Sequence, residues 1–137
     1  YQWKYPERVS ANILYDDKLA HQLYASADAI LMPSLFEPCG LTQLIALRYG
    51  TLPIVRETGG LKDTVQPYNE FDGTGNGFSF ANYNGDEMLG TINYSKHIYF
   101  NHRKQWDKMV QRAMEQEFSW NSSARQYEGM YSWMINW

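Results

Sequence analysis

The sequence predicts an α/β fold, a partial parallel sheet followed by a helical C-terminal tail. Two short apolar runs, Ala29–Pro33 and Leu52–Val55, are unbroken by polar residues. Such runs suit strands buried on both faces, as in a parallel sheet, rather than half-solvated antiparallel strands. The segments around them place apolar residues three and four apart, as helices do. From Asp86 onward the spacing is helical throughout.

Taken in order, Val9–Leu14 is a weaker apolar run, broken by Ser10 and Asn12, and is expected to be a first strand. Asp17–Ala27 carries Leu19, Ala20, Leu23, Tyr24 and Ala27 on one face, with Asp16 or Asp17 as the cap, and reads as a helix. Ala29–Pro33 is the second strand. Leu41–Tyr49 is a helix apolar on several sides and therefore deeply buried, ended by Gly50. Leu52–Val55 is the third strand. This alternation of strand and helix implies crossover connections and a parallel sheet.

Residues 56–85 change in texture, being rich in Gly, Asn, Asp and Thr. They read as two functional loops, one with Gly59-Gly60 and one with Gly73–Gly77, around a short helix near Lys62–Gln66, with Gly77–Phe80 as one more short strand. Helices are then expected over Asp86–Ser95 and Asn101–Glu115. A last helix capped by Ser119 has the stripe Trp120, Ala124, Tyr127, Tyr131 and Met134. A stripe of this kind is more often core or interface than ligand site.

The 137 residues make about one domain's worth of chain. An apolar share of 44% with 20% charged residues excludes a disordered or collagen-like chain. The net charge of −3 lacks the basic surplus of a protein that grips a nucleic-acid backbone, so no nucleic-acid partner is expected. No apolar run approaches the roughly 18 residues of a membrane span, and no secretory leader opens the sequence. One cysteine, Cys39, makes neither an internal disulfide nor a cysteine-based metal site. A cytoplasmic location and no metal or cofactor are the expectations.

Ligands of an open parallel sheet collect beyond the carboxyl ends of its strands. Those ends read Tyr15-Asp16, Ser34–Gly40 and Arg56–Gly60. Ser34–Gly40 runs straight into the helix from Leu41. Gly40 bares the backbone, and no Asp, Asn or Ser stands directly before Leu41 to satisfy the free N–H groups of the first turn. An anion such as a diphosphate would satisfy them, helped by the helix dipole; a plain helix cap is the other reading. Glu37 would repel that phosphate but would accept hydrogen bonds from the hydroxyls of a sugar attached to it. As a bare pattern it equally reads as a solvated loop acid.

The block Ala27–Gln43 resembles the donor-site signature of bacterial glycogen synthases and plant starch synthases. Tyr49–Arg56 and Thr58–Val65 continue the resemblance in register. Gly75–Phe80 and Phe118-Ser119-Trp120 follow in the family's order. It covers roughly residues 12 to 131 and implies the GT-B architecture of two Rossmann-like domains, and a glucosyl transfer from ADP-glucose to the non-reducing end of an α-1,4-glucan, retaining configuration and using no metal ion. The chain is then the second part of the C-terminal domain. Residues 1–96 form a nucleotide-sugar-binding Rossmann-like half-domain, incomplete at its N-terminus, and helices in 97–137 pack on it.

By the same resemblance, Glu37 matches the catalytic-site glutamate that contacts the donor glucose. Gly40, Leu41 and Thr42 match the helix start whose amides hold the distal phosphate, with Cys39 contributing backbone. Tyr15 matches the aromatic lying against adenine, and Leu14 lines the same pocket. Many related transferases carry a second glutamate eight residues after the first; Ile45 stands there. The family's diphosphate-neutralising Arg and Lys, its N-terminal domain and its acceptor groove are expected to lie outside this chain, so the isolated chain is expected to be inactive. A non-catalytic nucleotide-binding module and a protein-interaction module are the alternative readings. His21, His97 and His102 match no catalytic histidine and read as surface or packing residues.

Overall fold

The structure is a computed structural model and describes residues 1–135. The final two residues of the expected tail, Asn136 and Trp137, lie outside the described residues. The elements run α1 (Asp17–Ser26), β1 (Ala29–Met32), α2 (Thr42–Tyr49), β2 (Leu52–Arg56), α3 (Gly59–Thr64), β3 (Phe78–Phe80), α4 (Gly85–Asn101), α5 (Arg103–Glu115) and α6 (Trp120–Ile135). β1, β2 and β3 form one parallel sheet in sequence order, pairing Leu31 with Ile54 and Val55 with Ser79.

Local chemistry accounts for several element ends. Asp16 caps α1 by accepting from the Leu19 amide at 3.0 Å, as its position before the helix predicts. Gly50 ends α2 in the left-handed region at φ 81°, which a side chain resists. Asn84 caps α4 through the amides of Asp86 and Glu87. α4 runs six residues beyond its expected end and breaks only at His102, whose φ −130°, ψ 47° serve as the C-cap of α4 and the N-cap of α5. The 96/97 boundary expected from the sequence falls within α4.

Both faces of β2 are buried. Leu52 and Ile54 join Leu47 of α2, Phe78 of β3, Ile98 of α4 and Trp106, Met109 and Ala113 of α5 in the main core. Val55 faces the other way, onto Leu61 and Val65 with Met32 alongside. This two-sided burial is why Leu52–Val55 shows no polar alternation. Trp106 stacks on Phe78 at 5.8 Å between ring centres and meets Tyr99 edge-on at 5.0 Å. The end of α4 and α5 thus share the core of the sheet. α6 differs, having no buried residue; Trp120, Tyr127, Tyr131 and Met134 of its stripe are exposed.

Three expectations are corrected. β1 is not buried on both faces as its unbroken apolar run suggests: it lies at the edge of the sheet, none of its residues is fully buried and Leu31 is exposed. Val9–Leu14 forms no strand: Ile13 is fully exposed, and the segment's polar groups bond locally, Asn12 to the Ser10 hydroxyl at 3.2 Å and the Ala11 amide to the Gln2 side chain at 2.9 Å. Such local bonds compete with a sheet ladder. The short helix expected near Lys62–Gln66 begins three residues earlier, at Gly59. Its two glycines look like loop residues by propensity, but a close approach to the neighbouring loop draws them into the first turn. Among the described residues no helix is long and apolar enough to cross a membrane.

Candidate donor-binding site

The segment Ser34–Thr42 sits at the carboxyl end of β1 and leads into α2. Three anchors hold its backbone from below. Arg56, the last residue of β2, donates to the carbonyls of Leu35 at 2.6 Å and Ser34 at 3.3 Å. The Gly60 amide donates to the Glu37 carbonyl at 3.1 Å. The Gln43 amide nitrogen donates to the Cys39 carbonyl at 3.0 Å. With these carbonyls turned inward, the loop is fixed at four points along its length.

Glycines make the approach possible. A Cβ on Gly59 would collide with the Glu37 carbonyl oxygen, and one on Gly60 with that of Cys39. Gly59 also sits at φ +43°. The Gly59-Gly60 pair is therefore a flat backbone surface on which the loop rests. Gly40 has φ +72°, and the place its Cβ would take is filled by the Gln43 side-chain amide. Its lack of a side chain thus makes room for a protein group.

The start of α2 has the bareness read from the sequence. Leu41, its N-cap, has φ −97°, ψ −25° and no side-chain capping bond. No acidic residue occupies the first turn. Leu41 is 67% exposed and Thr42 half-buried. Free N–H groups and the dipole make the position attractive to an anion. Glu37 is half-buried by residue, and its carboxylate has no hydrogen-bond partner among the described residues. Cys39 is exposed and its thiol free.

Leu14 and Tyr15 stand before α1, 59% and 97% exposed. No strand precedes them, so Tyr15 is not the strand-end residue expected; it directly precedes the N-cap of α1. α1 and α2 run side by side, with Tyr24 near the end of α1 stacked on Tyr49 at the end of α2, 6.4 Å between ring centres. Since α1 returns the chain to the start of β1, its own start lies at the carboxyl end of the sheet. Leu14 and Tyr15 thus share that end with Glu37, Cys39, Gly40, Leu41 and Thr42. Beside this end, a depression of about 330 Å³ is lined by Pro33, Phe80, Tyr83, Asn84, Gly85 and Met88.

The Gly73–Gly77 loop, which the sequence presents as a functional loop, is held by structural bonds. Buried Asn76 donates to the Thr64 carbonyl at 3.0 Å and to Gln116 at 2.8 Å, and accepts from the Gln66 amide. Arg112 of α5 donates twice to the Gly75 carbonyl. His21 bonds the Asp17 carbonyl within α1, and His97 of α4 lies against Asn101 and against His102 at the break between α4 and α5. Among the described residues no three His, Cys, Asp or Glu residues cluster to hold a metal ion. Sequence reasoning missed Arg56, the Gly59-Gly60 contact and the bond of Gln43 to Thr64, because each joins segments distant in the chain.

The chain is similar to known proteins over nearly its whole length. The chain is 66% identical to the glycogen synthase of Lachnospira eligens over 96% of its length, and 59% identical to that of Lachnoclostridium phytofermentans over the same share. It spans 28% and 27% of those proteins, about a quarter of their length. Among solved structures it resembles the catalytic domain of starch synthase IV from Arabidopsis thaliana bound to ADP and acarbose. The TM-score is 0.85 with 37% identity, over 99% of this chain and 28% of that one. A sucrose-phosphate synthase from Thermosynechococcus elongatus shares the fold, with a TM-score of 0.65 at 22% identity over 98% of this chain and 33% of that one. The match to the family described as glycosyl transferases group 1 spans residues 13–113, and with the Rossmann-like α/β arrangement it establishes that the chain belongs to that family.

Proposed function

We propose that this chain supplies the donor-nucleotide side of a glycogen (starch) synthase. In that reading the full-length enzyme moves glucose from ADP-glucose to the non-reducing end of an α-1,4-glucan, retaining configuration and without a metal ion. It works in the cytoplasm together with an N-terminal domain that this chain does not contain. The observation that carries the reading is the uncapped start of α2 after Gly40, with the unpartnered Glu37 carboxylate three residues before it. The high identity to glycogen synthases and the likeness to an ADP-bound starch synthase support it.

The chemistry follows from charge. As the bond between the anomeric carbon and the diphosphate breaks, negative charge gathers on the leaving phosphate. The amides of Leu41 and Thr42 are aimed at that charge before the reaction, so no reorganisation is needed when it forms. Removing one such donor from an oxyanion site costs roughly 3 kcal/mol of barrier. Positive charge grows on the sugar ring, where the Glu37 carboxylate both stabilises it and accepts hydroxyl hydrogen bonds. Tyr15 and Leu14 offer exposed apolar surface to the base, and Cys39 and Gly40 shape the backbone around the phosphate.

The test is glucan elongation from ADP-glucose by the full-length protein that carries this sequence. The expected result is transfer that is abolished or strongly reduced in Glu37→Ala. No transfer by the folded full-length protein refutes the reading. The isolated 137-residue chain, without the cationic groups expected elsewhere in the enzyme, is expected to be inactive and to bind ADP weakly or not at all. A protein-interaction module is the second reading, favoured by the exposed stripe of α6. A chain that stays monomeric by light scattering counts against it.

A further inference from the structure

Gln43 is the polar residue that the donor-site reading leaves unexplained. It lies on the first turn of α2 with no exposed surface. A buried amide is costly unless its groups are bonded, and an apolar residue of like size would avoid that cost. The Gln43 amide nitrogen spends both protons within the protein. One goes to the Cys39 carbonyl at 3.0 Å and the other to the Thr64 hydroxyl at 3.2 Å. Its oxygen is buried without a partner. Thr64, at the end of α3, passes its own proton to the Gly60 carbonyl. The Gly60 amide in turn donates to the Glu37 carbonyl at 3.1 Å.

These bonds close a ring through Glu37, Gly60, Thr64, Gln43 and Cys39. The two carbonyls held by the ring flank Pro38, whose own backbone torsion is fixed by its pyrrolidine. Two fixed carbonyls around a stiff residue leave the Glu37–Cys39 segment one arrangement. Gly40 belongs to the same device, because a side chain there would displace the Gln43 amide.

We propose that Gln43 and Thr64 are a positioning pair, holding the Glu37–Thr42 segment so that the carboxylate and the start of α2 meet the donor together. Neither touches the donor. The inference rests on the donor-site reading above for its catalytic part. Its structural part has a separate readout in the exposed thiol of Cys39, the residue whose carbonyl Gln43 holds.

The experiment uses Gln43→Leu, Thr64→Val and Thr64→Ser in the full-length protein. It measures kcat and KM with ADP-glucose, the melting temperature, and the alkylation rate of Cys39 by iodoacetamide, read by peptide mapping. Gln43→Leu and Thr64→Val are expected to lower kcat about 10- to 100-fold, the scale of a small misplacement of reacting groups. KM and melting temperature are expected to stay near wild type while Cys39 alkylation quickens several-fold. Thr64→Ser, which keeps the hydroxyl, is expected to match wild type in all of these. An unchanged kcat in both Gln43→Leu and Thr64→Val overturns the inference, as does an activity loss no larger than the unfolded fraction. If wild type transfers no glucose, the donor reading has failed, and the thiol alone decides: faster alkylation upholds the pair's hold on the loop, and an unchanged rate refutes it.

Discussion

The amide of Gly60 donates to the carbonyl of Glu37 over 3.1 Å, and a methyl group on Gly60 would collide with the carbonyl of Cys39. One glycine thus both bonds the candidate donor loop and leaves the space the loop fills. Gly60→Ala is expected to destabilise the chain by roughly 1–3 kcal/mol, as overpacking against fixed backbone does. Gly90→Ala is its control, since Gly90 lies inside α4 with open space around it. That change is expected to stabilise by about 0.5–1 kcal/mol through helix propensity. Denaturant unfolding of both variants measures the difference, and equal effects in the two would refute the packing account.

Trp106 ties the helical part to the sheet. It is buried among Phe78, Tyr99 and Ile98, and no smaller side chain fills that space. Trp106→Ala is expected to cost about 3–5 kcal/mol, comparable with the whole stability of a small domain. Circular dichroism at room temperature is expected to show a largely unfolded chain. A cooperative melt near that of wild type would mean that α5 contributes little to the core.

Glu37 and Tyr15 separate sugar from base. In the full-length enzyme Glu37→Ala is expected to depress kcat far more than ADP affinity, because it removes a contact to the sugar. Tyr15→Ala is expected to weaken ADP binding by about 1–3 kcal/mol, the scale of a base–aromatic stack. Tyr15 is 97% exposed, so its removal leaves the fold intact and the binding measurement clean. Calorimetry with ADP reads both. Unaltered ADP affinity in Tyr15→Ala excludes the stack, and a loss confined to ADP binding in Glu37→Ala excludes the sugar contact.

Glu87 gives the fold a small acid sensitivity. Its carboxylate accepts from the side-chain nitrogen of Asn82 at 2.6 Å and from the Asn82 amide at 2.9 Å, and these bonds hold its pKa below the ordinary glutamate value. A carboxyl depressed on folding adds stability above its unfolded pKa and loses it as the pH falls through the folded one. Glu87→Gln is expected to lower stability near neutrality, where the ionised carboxylate contributes, and to flatten the acid side of the profile, so that variant and wild type converge below the ordinary glutamate range. Unfolding curves across that range check the slope; an unaltered acid slope would contradict the assignment.

The sequence by itself determined the elements whose cause is local or periodic. Two-sided burial wrote β2 as an unbroken apolar run, Asp16 and Gly50 marked helix ends by their own chemistry, and the uncapped start of α2 was visible as an absence of capping residues before Leu41. Only the tertiary structure decided the rest. Val9–Leu14 carries a strand-like pattern but satisfies its polar groups locally, and no pattern in the run reveals that. Gly59 and Gly60 look like loop residues until the Glu37–Cys39 backbone is laid against them. The hold of Gln43 on Thr64, and of Arg56 on Leu35, joins groups far apart in the chain. Hydrophobic periodicity reports which face of an element leaves water, whereas the partner of a buried polar group is fixed by directional bonds that form only once the elements are packed.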